Sequence, residues 1–210
     1  MIKLFLADDH TIVRQGLKKI LTDQPDMKVI GEASTAEEII ALVRSTMCDV
    51  LLLDVTMPGR SGLDVIKDLK LIAPKMHILV FSMHPEAQFA VRVLRAGGSG
   101  YLTKDSAPDE IVKAIRRAAS GGKYVSPALA EWLATLTETD IEKPAHERLS
   151  DREFQIMRLI ANGKSVTEIA QQLSLSIKTI STYRTRVLDK MRLKSNAEVA
   201  RYAVEHHLIE

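Results

Sequence analysis

The chain has 210 residues, 46% of them hydrophobic and 27% charged, a balance that suits an ordinary globular protein with room for two modest domains. Its formal net charge is only +2, and no apolar run approaches the ~20 residues that a membrane-crossing helix needs, so no membrane partner is expected. A single cysteine, Cys48, excludes an intramolecular disulfide and suits a reducing cytoplasmic setting.

The opening MIKLFLADDH has no small-residue cleavage site and reads as a strand rather than a secretory signal. Short apolar runs at 2–7, 28–30, 50–53, 78–81 and 101–102 predict five strands. Helical spacing fills the intervals. Ile12, Leu17, Ile20 and Leu21 share one face, and Ile39, Ala41, Leu42 and Val43 follow the cap-like Ser34-Thr35. Leu63, Ile66, Leu69 and Ile72 make a third stripe, and Val91, Val93 and Leu94 a fourth. The fifth, Ile111, Ile115 and Ala118, comes after Pro108, a good first-turn residue. Cys48 reads as a small packing residue near a helix end.

Five strand–helix units in series predict an α/β domain over 1–121, a doubly wound five-stranded parallel sheet covered on both faces. Gly121-Gly122 ends the fifth helix, and 122–146 reads as a partly helical linker. Pro127 opens a short helix there with Leu129, Trp132, Leu133 and Leu136, Trp132 being expected to pack against a neighbouring domain. From 147 to 210 the pattern is all-α. Ser150 and Glu153 form a capping box for a helix carrying Phe154, Met157 and Ile160, which ends at Asn162-Gly163. Val166, Ile169, Ala170 and Leu173 mark a second helix. Ser176 caps a third with Ile180, Val187, Leu188 and Met191 inward, and Ala197, Ala200, Tyr202, Ala203 and Val204 mark a fourth. The tight Leu173-Ser174-Leu175 turn makes the second and third a helix-turn-helix candidate.

Two clusters carry chemistry. Ligands of an open α/β sheet bind beyond the carboxyl ends of its strands. Asp8 and Asp9 end strand one, Asp54 ends strand three, Ser82 strand four and Lys104 strand five. The stretch LLLDVTMPG sets Asp54 after an apolar run, where a lone charge is costly; the expectation is a carboxylate presented at the rim of the core rather than buried in it. Three convergent carboxylates need a cation, and oxygen-only ligation suits Mg²⁺. The six histidines, His10 among them, show no metal-ligand spacing.

The segments LADDH, LLLDVTMPGRSGLD, FSMHPE and GYLTKD, in this order, resemble the receiver domain of two-component response regulators, whose fold is flavodoxin-like. That resemblance implies Asp54 as phosphoacceptor. It implies Mg²⁺ held by Asp9, Asp8, Asp54 and the backbone carbonyl of Thr56. It also implies Lys104 and Ser82 on the phosphoryl oxygens, with Tyr101 as switch aromatic. The family often has proline after the lysine; here Asp105 follows, so no cis bond is expected. A haloacid-dehalogenase-type phosphatase would need a second aspartate where Thr56 stands, so the protein is expected to be no enzyme beyond self-catalysed phosphoryl transfer to and from Asp54.

The second cluster is basic. Residues 176–194 hold six basic side chains against Asp189 alone. SVTEIAQQLSLSIKTISTYRTRVLDKM resembles a LuxR-type helix-turn-helix, with the recognition helix starting at Ser176. Lys178, Thr179, Ser181, Thr182, Arg184 and Thr185 avoid the apolar face and suit major-groove contact, Lys178 and Thr182 at base edges. Arg184, Arg186 and Lys190 suit phosphates or docking. Aromatic content of 4% argues against RNA base-stacking. Both halves together resemble a response regulator of the NarL/FixJ type. The implied partners are a cognate sensor histidine kinase, double-stranded DNA, a second copy of the chain when phosphorylated, and RNA polymerase as a further candidate.

Overall fold

The computed structural model describes every residue except 58, 59, 61, 85, 137–143, 207 and 210. The chain divides into two compact units, Met1–Ala134 and Thr135–Glu210.

In the first unit, β1 (Ile2–Ala7), β2 (Met27–Ala33), β3 (Val50–Leu53), β4 (His77–Ser82) and β5 (Gly100–Thr103) form a parallel sheet in the order β2-β1-β3-β4-β5. Helices α1 (Thr11–Thr22), α2 (Ala36–Ser45), α3 (Gly62–Ile72), α4 (Glu86–Arg95) and α5 (Pro108–Ala119) connect and follow the strands. Every residue of β3 is buried, as a sheet covered on both faces requires. Leu4, Leu6, Val50, Leu52, Leu79 and Phe81 share one core with Leu17, Leu21, Ile111 and Ile115. Thr35 caps α2 by accepting from Glu38 N, and Pro108 occupies the first turn of α5. The thiol of Cys48 lies after α2, 3.3 Å from Met76 Sδ, and burial pushes it up to about 12, the behaviour of an inert packing residue.

Three helical stripes differ from their expected faces. Ile12 is 86% exposed because the core-facing side of α1 is the one that carries Val13, Leu17, Ile20 and Leu21. Ala41 is exposed while Ile39 and Val43 are buried, and in the last helix Ala197 and Val204 are exposed while Val199 is buried. Small or aliphatic residues satisfied the period without lying on its buried arc.

Packing of the first unit continues past Gly121, which has φ +84. Tyr124 pairs with Gly100 as an isolated parallel bridge, and its hydroxyl donates to Glu110 Oε1 at 2.6 Å. A Cβ on Gly100 would come 2.6 Å from Tyr124 O, so this approach needs glycine. Ser126 Oγ then bonds the Glu86 carboxylate as α6 (Pro127–Leu136) begins, with Leu129 buried. The side chains of Trp132, Leu133 and Leu136 lie outside the described residues.

The second unit begins with a 3₁₀ turn at Ala145–Arg148. His146, which the sequence pattern assigns to the linker, sits against Tyr202: its Nδ1 is 3.0 Å from the phenol oxygen. Helices α7 (Asp151–Ala161), α8 (Val166–Gln172), α9 (Ile177–Met191) and α10 (Asn196–Glu205) follow. Serines at 150, 165, 176 and 195 cap all four, each accepting from the backbone N–H three residues on. Ser150 and Ser165 do so within full capping boxes. Between α8 and α9 the chain turns through Ser174 at φ 52, a left-handed conformation that lets the two helices meet across a short turn. The expected buried positions Ile180, Val187 and Met191 are buried. His206 is exposed at the end of α10, and His207 lies outside the described residues.

Candidate functional site

Register brings the first cluster together. Ala7 pairs with Leu53, so the residues that follow, Asp8 and Asp54, leave adjacent strands at the same level. Asp54 N donates to Ala7 O at 2.8 Å, extending the ladder one step. On the other side, Ser82 pairs with Thr103, and Lys104 N donates to Ser82 O at 2.8 Å. This edge is where the strand order reverses, between β1 and β3.

Lys104 Nζ lies 2.7 Å from Asp54 Oδ2 and 2.7 Å from Asp8 Oδ2. All three side chains are almost wholly inaccessible, at 5%, 0% and 3% exposure respectively. The rim expectation for Asp54 therefore needs correcting. Its residue ends the strand, but its carboxylate is buried, and it tolerates burial because its charge is matched. Oδ2 meets the ammonium, while Oδ1 accepts from Thr56 N at 2.7 Å and Thr56 Oγ1 at 2.6 Å. Burial works against the Lys104 charge, yet hydrogen bonds to Asp54 and Asp8 and their field outweigh it and hold the ammonium above the usual lysine range.

The other expected residues gather around this pair. Ser82 is fully buried, and its Oγ accepts from His84 N at 3.3 Å. Tyr101, 1% exposed, donates its hydroxyl to His84 O at 2.8 Å. The loop after β4 is thus tied to both switch candidates. All described peptide bonds are trans, the one after Lys104 included.

Sequence spacing misses His10. Its backbone N–H donates to Asp8 Oδ1 at 2.8 Å, and that turn carries the ring back so that Nδ1 lies 2.9 Å from Asp9 Oδ1. Ligand atoms of Asp8, Asp9, His10 and Asp54 all fall within 4.8 Å of one another. The donor set fits a hard divalent cation. It offers three carboxylates, and the two buried ones, Asp8 and Asp54, share the Lys104 ammonium, which leaves negative charge for a cation to offset.

The second cluster lies on α9. Lys178, Ser181, Thr182, Thr185 and Arg186 are exposed along one face, while Thr179 and Arg184 are half-buried at its margins. Thr182 and Thr185 donate to the carbonyls of Lys178 and Ser181, so their oxygens remain able to accept. Arg184 Nε donates to Asn196 Oδ1 at 2.7 Å, which anchors α9 to the start of α10. The Arg186 guanidinium sits 5.9 Å over the Tyr183 ring. Lys190 is committed differently from the others: its ammonium is 2.6 Å from Glu153 Oε2, a carboxylate only 4% exposed that also closes the Ser150 capping box. No sequence signal marks that pair, because 37 residues separate its members.

Residues 4–116 match the model of the response regulator receiver domain, and residues 147–203 match that of the bacterial regulatory proteins of the luxR family. The chain belongs to the response regulators. It is a two-component response regulator, built as a receiver domain followed by a DNA-binding LuxR-type domain, and it regulates transcription. This response regulator is 38% identical to response regulator UvrY of Escherichia coli K12, over 99% of this chain and 96% of that protein. It is 37% identical to response regulator GacA of Pseudomonas aeruginosa, over 100% and 99%. Among solved structures, it resembles RcsB of Salmonella typhimurium with a TM-score of 0.73 at 28% identity, covering 97% of each chain. It also resembles Salmonella enterica RcsB bound to promoter rprA in the presence of phosphomimetic BeF3⁻, with a TM-score of 0.67 at 29% identity over 96% and 98%.

Proposed function

We propose that this response regulator is switched by a phosphoryl group on Asp54, supplied by a cognate sensor histidine kinase, and that the phosphorylated form binds promoter DNA as a homodimer. One observation carries the reading: a buried aspartate at a strand end shares a lysine with a second aspartate, so a fixed cation waits where a phosphoryl group would arrive. Asp8, Asp9, Asp54 and the Thr56 carbonyl would hold Mg²⁺, which when bound offsets negative charge on a phosphoryl group.

The transfer step follows from these residues. A carboxylate oxygen of Asp54 attacks phosphorus, the bond from phosphorus to the donor's imidazole nitrogen breaks, and the imidazole leaves with its electron pair and takes up a proton. The product is an acyl phosphate. Lys104 turns from the Asp54 carboxylate to the phosphoryl oxygens, exchanging one anion for another of about −2 charge. Ser82 Oγ trades the His84 N–H for a phosphoryl oxygen. Tyr101, whose hydroxyl holds His84 O, then feels the change through that one loop residue. Hydrolysis of the acyl phosphate at the same site resets the protein.

On DNA, Lys178 and Thr182 read base edges with Thr179, Ser181 and Thr185 beside them, while Arg184 and Arg186 meet phosphates. Lys190 supports docking by fixing α9 to α7. Pairing makes the second half-site contact intramolecular, a gain of roughly 10² or more over a single module. The solved structure of two RcsB dimers on parallel DNAs supports a dimeric reading for this chain. RNA polymerase is the further partner such a DNA-bound regulator would meet.

Mapping the phosphorylated residue tests the reading. Full-length protein treated with acetyl phosphate and Mg²⁺ gains one phosphoryl group, located on Asp54 by peptide mass spectrometry after borohydride reduction. Label on another residue, with Asp54 unmodified, contradicts it.

A further inference from the structure

His10 occupies a position the family reading leaves unused. It caps the N-terminus of α1 without a side-chain hydrogen bond to the helix, so its ring is not spent on capping. Instead Nδ1 lies 3.1 Å from Asp8 Oδ1 and 2.9 Å from Asp9 Oδ1. An ion with bonds near 2.1 Å holds neighbouring donors roughly 3 Å apart and opposite donors roughly 4.2 Å apart. The two separations match neighbouring donors of one small ion, and the ligand atoms of the four-residue set lie within 4.8 Å of one another. Asp8 adds a second sign: its carboxylate, 3% exposed, and that of the buried Asp54 share the Lys104 ammonium at 2.7 Å each, which leaves negative charge for a cation to offset.

We propose that His10 Nδ1 is a ligand of the cation bound by Asp8, Asp9 and Asp54, giving a mixed nitrogen–oxygen site that favours Mn²⁺, Co²⁺ and Ni²⁺ over Mg²⁺. The proposal rests on the reading of this pocket as a cation site. Imidazole nitrogen strengthens binding of the later first-row ions, whereas Mg²⁺ prefers oxygen and keeps its waters. The ring ligates as the neutral tautomer with its proton on Nε2. Because the side chain is 61% exposed, that nitrogen reaches water. The bland alternative is a ring that only donates Nδ1–H to the two carboxylates and positions them.

A spectroscopic experiment separates the two. Full-length protein is loaded with Mn²⁺, and its electron spin echo modulation is recorded for the wild type and for His10→Gln. A directly bound imidazole gives a nitrogen hyperfine coupling in the wild type that is absent from His10→Gln. Calorimetric titration gives the selectivity: Ni²⁺ affinity falls at least about tenfold in His10→Gln, and Mg²⁺ affinity by less than about threefold. Bound Mn²⁺ without nitrogen coupling overturns the proposal while leaving the cation-site reading in place. So does a coupling that survives His10→Gln, or an equal loss of Ni²⁺ and Mg²⁺ affinity, which would mark a positioning residue. Failure of the wild type to bind Mn²⁺ or Mg²⁺ overturns both.

Discussion

Replacing Lys104 by methionine keeps most of the side-chain volume and removes the charge that serves two carboxylates. Its ammonium is 2.7 Å from both Asp8 and Asp54, and the three side chains are between 0% and 5% exposed. Removing one partner of a buried pair costs about 3–5 kcal/mol, because the other charge stays buried without compensation. Two stranded carboxylates push toward the upper figure. The donors from Thr56 to Asp54 and from His10 N to Asp8 pull the other way, since they go on satisfying one oxygen of each. A net loss of about 3–4 kcal/mol is expected, roughly 10–15 °C for the receiver transition. Thermal and urea unfolding of the full chain, followed by circular dichroism, measures it. Millimolar Mg²⁺ should restore part of the loss by supplying charge to the same carboxylates. Adding Asp54→Asn to Lys104→Met should also recover stability, because one unpaired charge disappears. A Lys104→Met protein within about 1 kcal/mol of wild type, with or without Mg²⁺, would show that the lysine is not the counter-charge of a buried pair.

Other outcomes follow from the second unit. Lys178→Ala should relax base preference at one position by about 1–3 kcal/mol, whereas Arg186→Ala should weaken all sequences alike and lower the salt slope by about 1, both read from a library of sites. Burial alone would raise the Glu153 carboxyl, but Lys190 and the Ser150 donors outweigh it and hold the group below the usual glutamate range. Its contribution is therefore complete above the ordinary glutamate value and fades as pH falls through the lowered folded one. Glu153→Gln should thus destabilise the unit by about 1–2 kcal/mol at pH 7 and by progressively less as pH falls below the ordinary glutamate value, and a loss that stays equal as pH falls would contradict this. Ser174, at φ 52, should tolerate glycine with unchanged or slightly higher stability, while Ser174→Val should lower it by about 1–2 kcal/mol in urea unfolding.

The sequence carried the sheet almost whole, because continuous apolar runs bounded by acidic or glycine punctuation leave few alternatives. Strand ends also put Asp8, Asp54, Ser82 and Lys104 on one edge by topology alone. What it did not carry depends on geometry finer than periodicity. The burial of Asp54 follows from where one long lysine side chain reaches, which no spacing encodes. His10 joins the carboxylates through a local turn closed by its own backbone N–H, so its neighbours in sequence conceal a contact rather than announce it. Ile12 and Ala41 satisfied a helical period yet face outward, since a period fixes a face but not which face meets the sheet. The Glu153–Lys190 pair is a contact between α7 and α9 that only tertiary packing creates.

On the proposed reading, charge placed on Asp54 governs DNA binding by α9 in the other unit. The affinity of full-length protein for a DNA fragment selected from genomic DNA, measured before and after acetyl phosphate treatment, tests it directly, with Asp54→Asn in parallel. Phosphorylation should tighten binding of the wild type at least about tenfold, with two copies per site, and leave Asp54→Asn unchanged. Equal affinity of the wild type in both states, or the same gain in Asp54→Asn, would contradict it.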